Sequence, residues 1–361
     1  MEYENILNEQ FNNIIDDNQF YKVIEETNKL TNGVASEFTP EIIMQSILSG
    51  ESIFDYNKII TSLEDLFLLE IRNALIICIE IISICIVIGL LKELSNSFNS
   101  KSVSDISLLI CSMVIIGISI NNFKDTYGLV HDTINTMVYT MEIITPILIG
   151  ILISTGSVTS GTLLSPVIVG AITTVSFLIK NFILPALFIS TILSLINCLT
   201  EKNYVNKLAK FIRNFSVAIT GAILVILTGV ISIQGLLSET SDGLLINTAK
   251  FSLSNFIPIV GGFTSDTVEL FIKCMTSIKS VVGVFGIIIL ILLLTAPLIK
   301  VLLIAGIYKI TAALAEPVTD TKIADGLNDM GNCIISISAI MFFTSLLFIM
   351  FITTIIKIGG A

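Results

Sequence analysis

The 361-residue chain has no tryptophan and a single histidine, His131. Without tryptophan, any aromatic belt at a membrane surface must be built from Tyr and Phe. With one histidine there is no His-rich metal site, and no Ser-His-Asp triad is assembled around it. Charge is scarce as well: 13% of residues are Asp, Glu, Lys or Arg, against about 25% in a soluble domain. The six cysteines, Cys78, Cys85, Cys111, Cys198, Cys274 and Cys333, form no CxxC pair and mostly sit in apolar runs. They read as small polarizable packing residues rather than a metal or redox framework. No GxxxxGK[ST] loop, HExxH motif or paired catalytic carboxylate occurs, so the chain does not hydrolyse nucleotides alone. It reads as a non-enzyme that needs no cofactor. Alternating strand patterns are also missing, which argues against a transmembrane barrel.

What is present is apolar length. The chain is 53% hydrophobic with a mean hydropathy of +0.93, and several runs reach the roughly 20 residues that cross a bilayer as a helix. The fold class is therefore all-α, a polytopic helical membrane protein. Net charge is −10, and it is concentrated at one end. Residues 1–70 hold 14 acids and three lysines, whereas the rest hold 15 acids and 16 bases. This acidity argues against nucleic acid and anionic lipid as partners of the N-terminal segment. Residues 1–70 read as an acidic helical extramembrane region. A helix starts at Thr39-Pro40-Glu41, with Pro near N1, and Ile42, Ile43, Ile47 and Leu48 share one of its faces. No basic stretch followed by an apolar signal core precedes this region. Residues 71–361 form the membrane domain.

About eight membrane segments are expected. The first is Ala74 to Leu91, followed by Ile106 to Ile120. A polar loop, Asn121 to Asp132, then leads to Thr133 to Ser154. Leu163 to Leu199 is about twice bilayer length and divides near Lys180-Asn181 and Pro185 into two crossings or two half-helices. Asn214 to Gln234, Val281 to Ile304 and Cys333 to Ile356 complete the set. Distributing bases by the positive-inside rule puts Glu201 to Arg213 in the cytoplasm and the acidic N-terminus outside it.

Two helix breaks organise the map. Asn255 to Asp266 carries Pro258 followed by Gly261 and Gly262, and Pro146 with Gly150 repeats the Pro-to-Gly spacing 112 residues earlier. Proline removes a backbone donor, and paired glycines free the chain to turn. Such a break must be buried in protein, line a cavity or sit at the interface. With matching flanks, the pair suggests repeat halves 133–234 and 245–357, a doubling found in transport folds. The alternative is that apolar helices resemble one another by composition.

Among the charges within the apolar runs, Glu80, Glu142 and Lys180 stand out. They are candidates for a polar path or for interhelical hydrogen bonds. The competing reading is structural pairing of the acids with Arg72 or Lys180, while Lys180 and Lys279 snorkel to an interface. Glu316, Asp320 and Asp325 follow a helix that ends before Pro317. They form a candidate docking surface for a partner, in competition with a solvated face or with packing on the basic Glu201 to Arg213 segment.

The order of motifs from Phe256 onward resembles a known family. FIPIVGG (Phe256 to Gly262) is followed by SDTVE (Ser265 to Glu269), then by Lys273 and Lys279 with GVFGI (Gly283 to Ile287). PLxK (Pro297 to Lys300) and YKxxAALxEPxxD (Tyr308 to Asp320) come next. This series resembles the stage III sporulation protein AE family, and the likeness covers most of the chain from about Phe67. The resemblance implies a role in endospore formation within the mother-cell membrane around the engulfed forespore. It implies partners too: other stage III A-operon membrane proteins and a forespore membrane partner, in a channel complex resembling secretion machines. The motifs are structural and designate no active site. The alternative class is an autonomous secondary transporter of a small solute.

Overall fold

The computed structural model describes residues 10–11, 17–31, 33–49, 56–98, 101–197, 205–256, 261–319 and 321–358. Among these the chain is helical with no strand. The helices are α1 (Asp17–Thr31), α2 (Pro40–Ser49), α3 (Tyr56–Phe98), α4 (Lys101–Ser154), α5 (Val158–Leu178), α6 (Leu184–Asn197), α7 (Asn206–Phe256), α8 (Gly261–Ala315) and α9 (Thr321–Lys357). A 3-10 turn, Val34–Glu37, joins α1 to α2, and a π-helical turn, Ile179–Ile183, joins α5 to α6. Six stretches are long and apolar enough to cross a membrane: Phe67–Leu91, Leu109–Ser154, Ser160–Asn197, Asn206–Ile233, Leu270–Ala315 and Thr321–Lys357.

Six replaces the expected eight because two pairs of segments fuse. Asn121 to Asp132 is not a loop: α4 runs through it for 54 residues, roughly 80 Å at 1.5 Å per residue. Phe123, Thr126, Val130 and Ile134 are buried within and just beyond this polar stretch, a spacing that keeps one side of the helix in the core. The helix also passes through Pro146 and Gly150 without interruption. A proline inside a helix forfeits a single backbone bond, and packed neighbours let membrane helices tolerate it. The second fusion joins α5 to α6 through the π turn at the expected division. Pro185 cannot donate to the carbonyl four residues back. The wider π turn absorbs this irregularity, and the Asn181 side-chain amide donates to the Phe177 carbonyl at 3.0 Å. Both merges fall between Lys101 and Glu201 and remove two crossings, an even number, so the charge map still puts the loop after the first crossing and Glu201 to Arg213 on one side, while Lys124 and Lys180 now fall within spans rather than loops.

Helix α8 is the axis of the bundle. It packs against α9, α4 and α3, and α1 and α2 lie on it as well. Along α9, buried Ile323, Leu327, Met330, Ile334, Ile337 and Met341 repeat at alternating steps of four and three. That spacing keeps one stripe against a neighbouring helix over the whole length. Ser345 donates to the Leu290 carbonyl across the antiparallel α8–α9 pair. Helix α2 begins where the Thr39-Pro40 signal predicts, with the Ile42 amide donating to the Thr39 hydroxyl at 3.4 Å. Its buried face differs from the expected one: Ile43 and Met44 are inside, whereas Ile42, Ile47 and Leu48 stay exposed. Helix α1 inserts Phe20 beside Phe285 of α8, with ring centroids 5.1 Å apart. Lys22 lies over the Tyr139 ring of α4 at 5.6 Å.

Gly89 lies where α3 passes close to the chain just beyond α8. A Cβ there would lie 2.5 Å from the Val318 carbonyl oxygen, a main-chain atom that cannot rotate away. Gly89→Ala is therefore expected to destabilise the detergent-solubilised protein by roughly 1–3 kcal/mol. Gly117 of α4 has nothing within 4 Å of such an atom. Gly117→Ala is expected to be neutral or stabilising, because alanine favours the helix by about 1 kcal/mol. Thermal loss of helical circular dichroism for the two variants checks the contrast.

Candidate functional site

A cavity of about 240 Å³, with charged and amide side chains among its apolar walls, lies where α3, α4 and α8 meet. Helix α3 contributes Glu70 and Asn73, helix α4 contributes Asn122, Asp125, Thr126 and Leu129, and α8 contributes Lys300 and Ile304. Each set falls at steps of three and four residues, so each helix turns a single side to the cavity. The Lys300 ammonium meets the Glu70 carboxylate at 3.1 Å. Glu70 is 7% exposed, whereas 40% of the Lys300 side chain remains accessible. The acid thus sits in the wall and the base reaches in from the more open side. Asn73 donates to Glu70 at 3.5 Å. Asn122 donates to the hydroxyl of the fully buried Tyr308 at 3.2 Å, and Thr126 donates to the Asn122 carbonyl at 2.9 Å. Asp125 is exposed at the rim. Charged groups among apolar helices are costly and tend to mark interiors or pathways. Chemically, the arrangement offers carboxylates to a cationic group and an ammonium to an anionic or carbonyl group. Among the described residues no cluster of three or more His, Cys, Asp or Glu is placed to hold a metal.

A second charged cluster ties α7 to α9. Asp329 is 7% and Arg213 8% exposed. The Arg213 guanidinium lies 3.7 Å from the Asp329 carboxylate, and it also donates to the Asp329 carbonyl at 3.4 Å and to the Cys333 sulfur at 3.6 Å. Lys210, one helical turn earlier, reaches the same carboxylate at 3.6 Å. Of the acids after Pro317, Asp329 therefore packs onto this chain's own basic segment. Lys279 does not snorkel: it is fully buried, and its ammonium donates to the Ile358 carbonyl just past the end of α9. A cation at a helix C-terminus meets unsatisfied carbonyls and the negative end of the dipole.

The sequence-predicted residues scatter. Glu80 is exposed on a flank of α3. Glu142 is exposed on α4, on the same face as Pro146 and Gly150 at steps of four. It lies within electrostatic reach of Lys180, which is half-buried in the π turn, so these two come together and Glu80 does not join them. Glu316 and Asp325 are exposed, with Leu314 and Val318 exposed beside Glu316. Asp320 and Pro258 lie outside the described residues. Gly261 opens α8, with Gly262 next, and α7 ends at Phe256. Sequence reasoning missed Glu70, Asn122, Asp125 and Lys300. The signal that was available is the stepping of polar residues by three and four within stretches taken for loops and boundaries.

The family model for stage III sporulation protein AE matches residues 38–359. The chain is similar to the stage III sporulation protein AE of Bacillus subtilis (strain 168). The two are 34% identical over 276 residues, a stretch covering 76% of this chain and 68% of that protein. No solved structure matches the chain. The matched region holds the cavity, the ion cluster and the exposed acids, and α1 precedes it.

Proposed function

Since the chain belongs to the stage III sporulation protein AE family, we propose that it is a non-enzymatic, multi-pass component of a sporulation channel complex. Its place is the mother-cell membrane around the forespore, and its partners are the other stage III A-operon membrane proteins and a forespore membrane protein. The family match over nearly the whole membrane region carries this reading, and six helices of spanning length accord with it. In-frame deletion of the gene in its own host should leave engulfed forespores that fail to mature, with heat-resistant spores restored by the full chain in trans. Normal spore yield in the deletion strain would refute the reading.

The exposed group Leu314, Glu316, Val318 and Asp325 is its proposed subunit contact, with Asp320 between them in sequence. Apolar contact supplies affinity there, while the acids steer association. Glu316→Lys with Asp325→Lys is expected to reduce co-purification of other complex subunits, most strongly at low salt, with insertion unchanged. Retention of all subunits at wild-type yield would remove this surface from the complex.

A second reading draws on the charged cavity: a secondary transporter of a small solute bearing both charges. Proteoliposomes holding only this chain should then take up radiolabelled zwitterionic solutes, and Asp125→Asn should abolish uptake. A channel subunit without its partners should move none.

A further inference from the structure

Helix α3 has two opposed faces. Ala74, Cys78, Ile81, Cys85 and Ile88 are buried against the bundle at steps of four and three. Opposite them, Ile76, Ile79, Ser83, Ile86 and Leu90 are exposed with the same alternation. A face that repeats this way is shaped for a second helix. Lipid alone would account for its apolar residues, but Glu80 flanks the stripe, one residue and about 100° round the helix from Ile79. Glu80 is exposed, falls near the centre of the Phe67–Leu91 stretch, and makes no ion pair or hydrogen bond with a described residue. A glutamate side chain is too short to bring its charge from that depth to either membrane surface, and hydrocarbon offers it no partner. Ser83, one turn on, satisfies itself on the Ile79 carbonyl. The carboxylate is left at the edge of this seam with no ion pair or hydrogen bond among the described residues.

We propose that the outer face of α3 docks a membrane-spanning helix of another protein, one carrying a lysine or arginine at mid-membrane depth that pairs with Glu80. Charge selects this occupant. A second copy of this chain across a two-fold axis would set Glu80 against Glu80 and the exposed Arg72 against Arg72, which repels at both levels. Ile79 and Glu80 are exposed, so substitutions there leave the bundle's own packing untouched. This inference is independent of the channel reading, since any sporulation membrane assembly could use such a seam.

The test uses the full chain with a photoreactive amino acid at Ile79. It is reconstituted in phosphatidylcholine–phosphatidylglycerol vesicles with synthetic leucine-rich transmembrane peptides that differ only in one central residue. The lysine peptide is expected to crosslink about ten-fold more than the all-leucine peptide, the ratio a 1–2 kcal/mol interhelical contact produces. Glu80→Leu should remove the difference, and Glu80→Lys should transfer the preference to a peptide with a central glutamate. Equal crosslinking to both peptides, crosslinks to lipid alone, or crosslinks between copies of the chain would each overturn the proposal. So would a lysine preference that survives Glu80→Leu.

Discussion

Asp329→Leu is expected to unfold the detergent-solubilised protein at markedly lower temperature than the wild type. The substitution leaves the guanidinium of Arg213, itself 8% exposed, without its counter-charge. Removing one member of a buried pair costs roughly 3–5 kcal/mol, because the survivor stays desolvated and unmatched. Arg213→Met should cost less, because Lys210 still reaches the Asp329 carboxylate at 3.6 Å. Lys210→Met should cost far less: 48% of that side chain is accessible, and half-exposed pairs are worth about 0–1 kcal/mol. The decisive measurement is the double variant. Asp329→Leu with Arg213→Met removes both charges, and an apolar replacement of a buried pair is often neutral. The double should therefore be more stable than Asp329→Leu alone. Losses that simply add would show that the two residues contribute independently. The result also bears on docking, because a strongly coupled Asp329 is committed to α7, which among the described acids of this segment leaves Glu316 and Asp325 on the surface for a partner.

How much of this could be read beforehand depends on the distance between interacting residues. The helical class and the first apolar run were legible, because they depend on composition and on windows of about one helix length. The start of α2 was legible because Thr39 and Pro40 act locally. The unity of α4 was hidden. Asn121 to Asp132 has the hydropathy of a loop, since Asn122 and Asp125 turn to the cavity while Phe123 and Val130 turn to the core. Averaging over both sides cancels the two, whereas stepping from Phe123 to Thr126, Val130 and Ile134 recovers the helix. Pro146 misled for a different reason. In water a proline commonly ends a helix, but inside a packed bundle it forfeits one bond and the neighbours hold the rest. The pairings of Glu70 with Lys300 and of Lys279 with the Ile358 carbonyl join positions far apart in the chain. No local pattern announces them, since each follows from how α8 lies against α3 and α9.

The second large effect is expected at the cavity, and it should be asymmetric. Lys300→Met leaves the Glu70 carboxylate in the wall at 7% exposure with, among the described residues, only the Asn73 amide to serve it. A buried acceptor stripped of its charged partner costs roughly 2–3 kcal/mol. Glu70→Gln leaves the Lys300 ammonium, whose side chain is 40% accessible and can turn to water, so it should cost under about 1 kcal/mol. Adding Glu70→Gln to Lys300→Met should accordingly raise the melting temperature above that of Lys300→Met alone. The same double variant separates structure from function. It retains Asn122, Asp125 and Thr126 and should fold, but it has lost both charges of the wall. If the pair only holds α3 to α8, the double variant supports spore formation as its recovered stability dictates. If the charges serve a solute or a passage through the protein, the double variant is stable and inserted yet fails to sporulate. In that case returning Lys300 alone should restore more function than returning Glu70 alone, since Glu70 without Lys300 is the less stable arrangement.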